Sequence, residues 1–412
     1  MKTDAIIIGS ELDGLVAATR LCERGYSVRL FSTGAGSLHY SSDGIHVLGF
    51  SQATNEEYVS KPIEAISQLN QDHPYQKIGK DQAIDALSWY VNMIGDVHQH
   101  VLLNDCNKMV ISPAGLNIPI YGTSKHQATI EQLDRENVTI VVFRGHRDFP
   151  AELIAVELGK KDTPSRVIQV DAPSEFLENA ALAKSFDAME DLDAYFATIG
   201  EAIPPETNVV LFPAVMGFSR HQEVLVTAER VLGMPCLEVP TLPPSIPGMR
   251  LEHAFVSHLK NNGISVHLGA SISRSSFDEN ESIVIWDSMD RQYEASALVI
   301  SSGGVLMGGL NVDSQGVIHE TSLGLDTYQS EPLNAISVDR SLHALHTAGV
   351  ETDNALRPKR NGSGTIQNVF VTGRTLAHWN PAAESSSEGV CVATGWAAAE
   401  NAHQYLEEHN NG

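Results

Sequence analysis

Basic residues are scarce in this chain: 27 Lys and Arg stand against 51 Asp and Glu, a formal net charge of −24. Nucleic acid and anionic lipid surfaces are bound through Lys and Arg, so neither is expected as the main ligand and no nucleic-acid partner is expected. Long apolar runs are also missing. None approaches the roughly 18 residues that read as a membrane span, so no direct span is expected and any membrane attachment would run through a partner. The chain opens on a strand-like run instead of a signal peptide, which points to the cytoplasm. Cysteine is rare, and Cys22, Cys106, Cys236 and Cys391 are single and far apart. They form no C-x-x-C pair, so no metal site is expected and a reducing compartment fits best.

What is present is ample core. A length of 412 residues at 42% hydrophobic composition leaves room for two domains, or one large domain with an insertion. The chain is organised around residues 3–32. Asp4-Ala5-Ile6-Ile7-Ile8 reads as a buried parallel strand broken by Gly9. A helix follows with Leu12, Leu15, Val16, Thr19 and Leu21 on one side, and Ser27-Val28-Arg29-Leu30-Phe31 returns as the next strand. The turn Gly9-Ser10-Glu11-Leu12-Asp13-Gly14 stands in the place of G-x-G-x-x-G. In that fingerprint the first Gly makes the turn, the second admits pyrophosphate to the backbone, and the third packs helix on strand. Glu11 replaces the second. A carboxylate about 5 Å from a phosphate charge costs on the order of 3 kcal/mol at an effective dielectric near 20. A helix N-terminus returns only about 0.3–2 kcal/mol. The acidic residue that grips an adenosine ribose is missing as well, its place after the second strand being held by Ser32-Thr33-Gly34.

Further along, Ser37-Leu38-His39-Tyr40-Ser41-Ser42-Asp43-Gly44-Ile45-His46 is small, polar and hydroxyl-rich, and its His39 and His46 are weak acid/base candidates in a chain with 17 His. Directly after a strand this stretch is either a ligand-contacting loop, with donors suited to a flavin ring, or an ordinary polar connection. Two helical patterns from Tyr58 to Val101 are expected to cover one end of the sheet, and Met109–Ile111 with Ile118–Gly122 carries a hairpin signal. Val138–Phe143 is a buried strand followed by Arg144-Gly145-His146-Arg147-Asp148. That cluster either holds an anionic substrate or is a solvated face. The proline-dense Leu242–Leu251 is stiff enough to hold side chains over a pocket, or to act as a linker, and Arg250 is expected to begin the next helix. Two more strand-to-glycine junctions follow, at Ala297–Gly304 and Asn368–Arg374. The last helix opens at Ser385-Ser386-Ser387-Glu388-Gly389-Val390, where free N–H groups suit a flavin carbonyl and Ser387 and Glu388 alternatively serve as caps.

The junctions at Gly9, Gly303 and Gly373 resemble the arrangement in two-domain flavoproteins of the fumarate reductase and succinate dehydrogenase type. A closer resemblance covers nearly the whole chain. Ser37–Ser42, Phe212–Gly217, Leu242–Leu251 and Glu388-Gly389-Val390-Cys391 are similar to the B subunits of anaerobic glycerol-3-phosphate dehydrogenases, the proline loop most specifically. The family's glycine-rich first turn and helix opening appear here as Gly-Ser-Glu and Ser-Ser-Glu.

The resemblance implies an α/β fold: a Rossmann-like FAD/NAD(P)-binding fold on a parallel sheet with an inserted α+β substrate or cap domain. The expected divisions are residues 1–50 for the first βαβ, 51–145 for a helical cover and hairpin, 146–260 for the insert, and 261–412 for the return with the final helix. It further implies a flavin-dependent oxidoreductase subunit passing electrons from glycerol 3-phosphate, giving glycerone phosphate, towards a quinone. The implied cofactor is FMN, with FAD as alternative, or none if Glu11 abolishes binding. The implied partners are a catalytic FAD subunit and an iron–sulfur membrane subunit, the chain being cytoplasmic or held at the inner membrane through a partner. Gly9, Gly14, Ser41, Ser42, Gly44, Gly303, Gly304, Gly389 and Val390 are expected to face the cofactor, with Arg250 and His253 as catalytic or anion-binding candidates. Two other readings stay open. One is a degenerate flavoprotein fold acting as an interaction subunit; the other is a stand-alone FAD-dependent dehydrogenase of the fumarate reductase type.

Overall fold

A computed structural model of the chain describes residues 2–42, 44–52, 57–98, 101–102, 106–276, 282–330, 344–360 and 364–410. The chain divides into two units. The first comprises Met1–Ser37, Ile45–Val97 and Glu252–Gly412, and the second Leu38–Gly44 and His98–Leu251.

The first unit is built on β1 (Lys2–Ile8), helix α1 (Leu12–Glu23) and β2 (Val28–Ser32), where the alternation of a buried run, a glycine turn and an amphipathic run foretold them. β1 lies between β2 and the strand Gln292–Ile300, parallel to both. Gln292–Ile300 has nine residues because it serves two neighbours on its other edge. Its first half pairs antiparallel with Ile283–Asp287 and its last three residues pair parallel with Val369–Val371. The registers Ile8↔Ile300 and Ile300↔Val371 bring three strand ends level. The final helix, Ser387–Asn410, packs on α1, and Gly395 makes that possible because a Cβ there would run into the Asp13 carbonyl.

The second unit has its own parallel sheet, in the order Cys236–Val239, Val209–Pro213, Val138–Phe143, Ser165–Val170. Numbered along the chain this is 4-3-1-2, a doubly wound order whose winding reverses between the first and third strands. Those two strands pair over three residues only, from Val138↔Val209 to Ile140↔Leu211. The pairing of Val138–Phe143 with Ser165–Val170 and Val209–Pro213 draws residues 98–145 into this unit, so the division falls well before the expected residue 146. The helix expected from Arg250 begins one turn earlier, at Ile246, and ends at Asn261. Pro247 is tolerated in a first turn, where its missing N–H is no loss. The Ser245 hydroxyl accepts from the Gly248 N–H at 3.2 Å, so the proline loop itself becomes the helix start.

Candidate functional site

In the first unit the three glycine junctions meet. Gly9 has φ +110°, and a Cβ on it would overlap the Ser301 carbonyl, so only glycine lets the strand ends lie this close. The Ser301 N–H donates to Ile8 O at 2.8 Å and the Thr372 N–H to Ile300 O at 3.0 Å, continuing the ladder past the strands. A Cβ on Gly14 would meet Gly9 O at 2.5 Å, as the helix-on-strand glycine of the fingerprint requires. Gly303 (φ +76°) lies against Met307 and Glu11, and Gly304 (φ +61°) against the Arg374 carbonyl. Gly373 closes on the carboxyl of Asp13, where a Cβ would sit 2.5 Å from it.

Two acids occupy this junction. Asp13 was not foreseen: it is buried, with Oδ2 accepting from the Thr372 hydroxyl at 2.6 Å and Oδ1 making no hydrogen bond among the described residues. Burial holds its carboxyl above the usual range. Its partner lies 359 positions away, so nothing in the local sequence announces the pair. Glu11 is 4% exposed. Its Oε1 accepts the Ser37 N–H at 2.8 Å and its Oε2 accepts the Ser37 hydroxyl. Burial, and then the nearby Asp13, raise its pKa, while Ser37 and Arg374 work in the opposite direction. Beside it lies a cavity of about 280 Å³ walled by Gly9, Ser10, Ser32, Ser271, Ser302 and Gly309 among others. That is close to the lower end of small-molecule sites, about 300–1,000 Å³. The Ser32 hydroxyl, in the ribose-gripping position, is engaged with the Ser10 hydroxyl at 2.8 Å and Gly34 O at 2.7 Å.

The final helix opening does not offer the N–H groups expected of it at Gly389 and Val390. Gly389 donates to His46 O at 2.9 Å and Val390 to Ser386 O at 3.1 Å. Gly389 instead supplies space, since a Cβ there would strike the Tyr75 hydroxyl. Just before the helix, buried Glu384 gathers the His73 ring Nε2 at 3.0 Å, the Ser386 hydroxyl at 3.0 Å and the Asn380 N–H at 3.2 Å. The Tyr75 N–H donates to His73 Nδ1, which assigns the ring proton to Nε2, facing Glu384.

Ser41, Ser42, Gly44 and Arg250 belong to the second unit and His253 to the first. The Ser41 N–H donates to Leu38 O at 2.9 Å, and Gly44 is pressed against Ile120. The hydroxyl-rich loop is clamped to the proline loop, the Ser245 N–H donating to His39 O at 2.7 Å. Arg250 is 5% exposed and faces inward. Its Nε and Nη2 donate to Gly217 O at 2.9 and 2.5 Å, and Nη1 lies 3.4 Å from Glu238 Oε2. The same carboxyl receives the His221 Nε2 at 2.8 Å and the Met216 N–H at 3.0 Å. Burial pushes the Glu238 carboxyl up, but Arg250 and then His221 outweigh it and hold it well below the usual range. Burial, then Arg250, lowers His221. The cluster is therefore a carboxyl held by one guanidinium, one imidazole and one backbone N–H. Ser42, Gln127, Glu238 and Arg250 line a cavity of about 10 Å³, space for one water. His253 is exposed, with Nε2 3.5 Å from the Ser257 hydroxyl. After Val138–Phe143, Arg144 is exposed and paired with Asp171 at 3.1 Å, while His146 turns inward to Asn179 at 2.8 Å.

A glycine-lined junction at the level ends of a parallel sheet defines the class, a dinucleotide-binding flavoprotein fold. The chain belongs to the FAD binding domain family, whose model matches residues 4–390. Curated relatives bear the name of the B subunit of anaerobic glycerol-3-phosphate dehydrogenase. That of Vibrio cholerae serotype O1 (strain O395) is 28% identical over 97% of this chain and 96% of its own length. That of Yersinia enterocolitica serotype O:8 is 28% identical over 99% of each chain. Among solved structures, 3-ketosteroid delta1-dehydrogenase from Sterolibacterium denitrificans is similar at 10% identity, covering 98% of this chain and 100% of its own, with a TM-score of 0.45. The resemblance to these B subunits thus holds over nearly the full chain. The indicated cofactor is a flavin of the FAD type, so the expected FMN finds no support. The residues present fit such a group in the cavity walled by Gly9 and Gly309, and at Glu11 they do not. No helix among the described residues is long and apolar enough to cross a membrane.

Proposed function

We propose that this chain is a flavin-dependent oxidoreductase subunit taking an FAD-type flavin, in an assembly that oxidises glycerol 3-phosphate to glycerone phosphate and passes electrons towards a quinone. The observation that carries the reading is the meeting of Gly9, Gly303 and Gly373 at one end of the sheet, in a chain whose relatives bear that name. Bound flavin supplies the two-electron redox chemistry. The chain's own residues hold and orient it. Gly9, Gly14, Gly303 and Gly304 let the strand ends and α1 close together around the cavity that would take it. Gly389 and Val390 fix the opening of the final helix by close packing. Arg250 acts as a positioning residue through Gly217 and Glu238. Exposed His253 is the second catalytic or anion-binding candidate of this reading. The partners in this reading are a catalytic FAD subunit and an iron–sulfur membrane subunit, the latter holding the chain at the cytoplasmic face of the inner membrane.

One observation favours a second reading, a scaffold subunit without cofactor: the Glu11 carboxyl in the nucleotide turn. Releasing and identifying any flavin from the purified chain, before and after incubation with excess FAD, separates the two. Recovered FAD, reduced by glycerol 3-phosphate once the partner subunits are added, supports the first reading. A chain that stays colourless in excess FAD and still captures its partners supports the second.

A further inference from the structure

We propose that Glu11 is a latch on the nucleotide turn: bonded to Ser37, its carboxyl holds the place of a cofactor diphosphate, and a dinucleotide binds as that contact opens. The inference rests on the reading of the chain as an FAD-type flavoprotein and assigns to Glu11 a selectivity the fold alone does not have.

Glu11 stands at the N-cap of α1, where a helix presents unpaired N–H groups and partial positive charge to an anion. Its side chain makes no cap bond there. It reaches across to Ser37 instead, accepting both the backbone N–H and the hydroxyl. The two glycines flanking the carboxyl show how closely it is enclosed. A Cβ on Gly36 would lie 2.7 Å from Oε1, and one on Gly303 3.0 Å from it. Both glycines have positive φ, +69° and +76°, so a side chain at either would be strained as well as crowded against this carboxyl. The second glycine of the fingerprint exists to let phosphate approach this point. Here a buried carboxyl, walling the cavity of about 280 Å³, already fills it. Two anions cannot share the place at low cost, so the Glu11–Ser37 contact and a bound diphosphate exclude one another.

Among the described residues, the ionisable groups that act on or with Glu11 are Asp13 on its own helix, Arg374 after the strand Val369–Val371, and Cys391 in the final helix. Arg374 favours the anion and Asp13 opposes it, with burial opposing it most. A protonated Glu11 repels phosphate far less, which makes dinucleotide affinity rise as pH falls.

Titration calorimetry of the full-length chain with FAD, ADP and adenosine tests the latch, in wild type, Glu11→Gly and Glu11→Gln. Residue 11 has φ −64° and ψ 165°, an extended conformation open to both replacements. The expected result is FAD and ADP affinity raised roughly a hundredfold in Glu11→Gly, with adenosine unchanged. Glu11→Gln, which keeps the bulk and removes the charge, is expected to gain about tenfold and to lose the wild type's rise in affinity at low pH. Equal FAD affinity in wild type and Glu11→Gly overturns the latch and leaves the flavoprotein reading standing. A gain for adenosine as large as for ADP also overturns it, because the barrier would then be bulk and not charge. No FAD binding by any of the three proteins removes the flavoprotein reading and the latch together.

Discussion

Glu11 in the first unit and Glu238 in the second are both buried carboxylates beside the end of a parallel strand, and they are handled in opposite ways. Glu238 has the Arg250 guanidinium and the His221 ring against it, and its pKa falls. Glu11 is bonded to the backbone and hydroxyl of neutral Ser37, with Asp13 close by, and its pKa rises. The difference teaches what each acid is for. A buried charge with a bonded counter-charge locks structure, and removing one partner strands the other. A buried acid without one is held at a cost that a structural role does not justify, and such costs concentrate where ligands act. The two ends therefore have opposite pH signatures. Glu238 and His221 have lowered values: the native state binds fewer protons than the unfolded chain, so their contribution is present at neutral pH and lost as pH falls. Glu11 and Asp13 have raised values: the native state binds more protons, and stability is lost as pH climbs from the usual carboxylate range through their folded values.

The largest effect that would break this contrast is expected at Arg250. Arg250→Ala strands Glu238 and frees the Gly217 carbonyl, and urea unfolding should show a loss of about 3–5 kcal/mol. A loss under about 1 kcal/mol would mean that the cluster does not lock the second unit. Next comes His221→Ala, which removes one hydrogen bond to a charged group. It should cost about 1.5–3 kcal/mol at neutral pH, a cost that shrinks in acid as Glu238 takes up its proton. The smallest effect belongs to the uncompensated acid. Asp13→Asn should be more stable than the wild type at neutral pH, with the gap closing as pH is lowered into the ordinary carboxylate range. Thermal unfolding across a pH series reads this directly. Equal midpoints at every pH would show that Asp13 is paired after all.

Much of the fold was legible because it rests on local rules. The apolar run Asp4–Ile8, the glycine at its end and the amphipathic stretch from Leu12 announce strand, turn and helix within some twenty residues. The hairpin at Lys108–Ile111 and Asn117–Ile120 was read in the same way from its turn residues. The helix start at Ile246 was missed because prolines read as loop until the Ser245 cap reveals the first turn. The bends at Gly9, Gly303 and Gly373 were legible because each follows a strand. The partners of the ionisable groups were not. Asp13 meets Thr372, and Arg250 meets Gly217, through contacts that no spacing encodes.

By itself the amino-acid order determined the βαβ start, the acid in place of the second glycine, and the kinship with B subunits, since each is a matter of neighbouring residues. Tertiary structure alone decided the state of each buried acid. Burial and the identity of the nearest donor set a carboxyl's charge, and for Glu11, Asp13 and Glu238 those donors come from segments that only folding brings alongside.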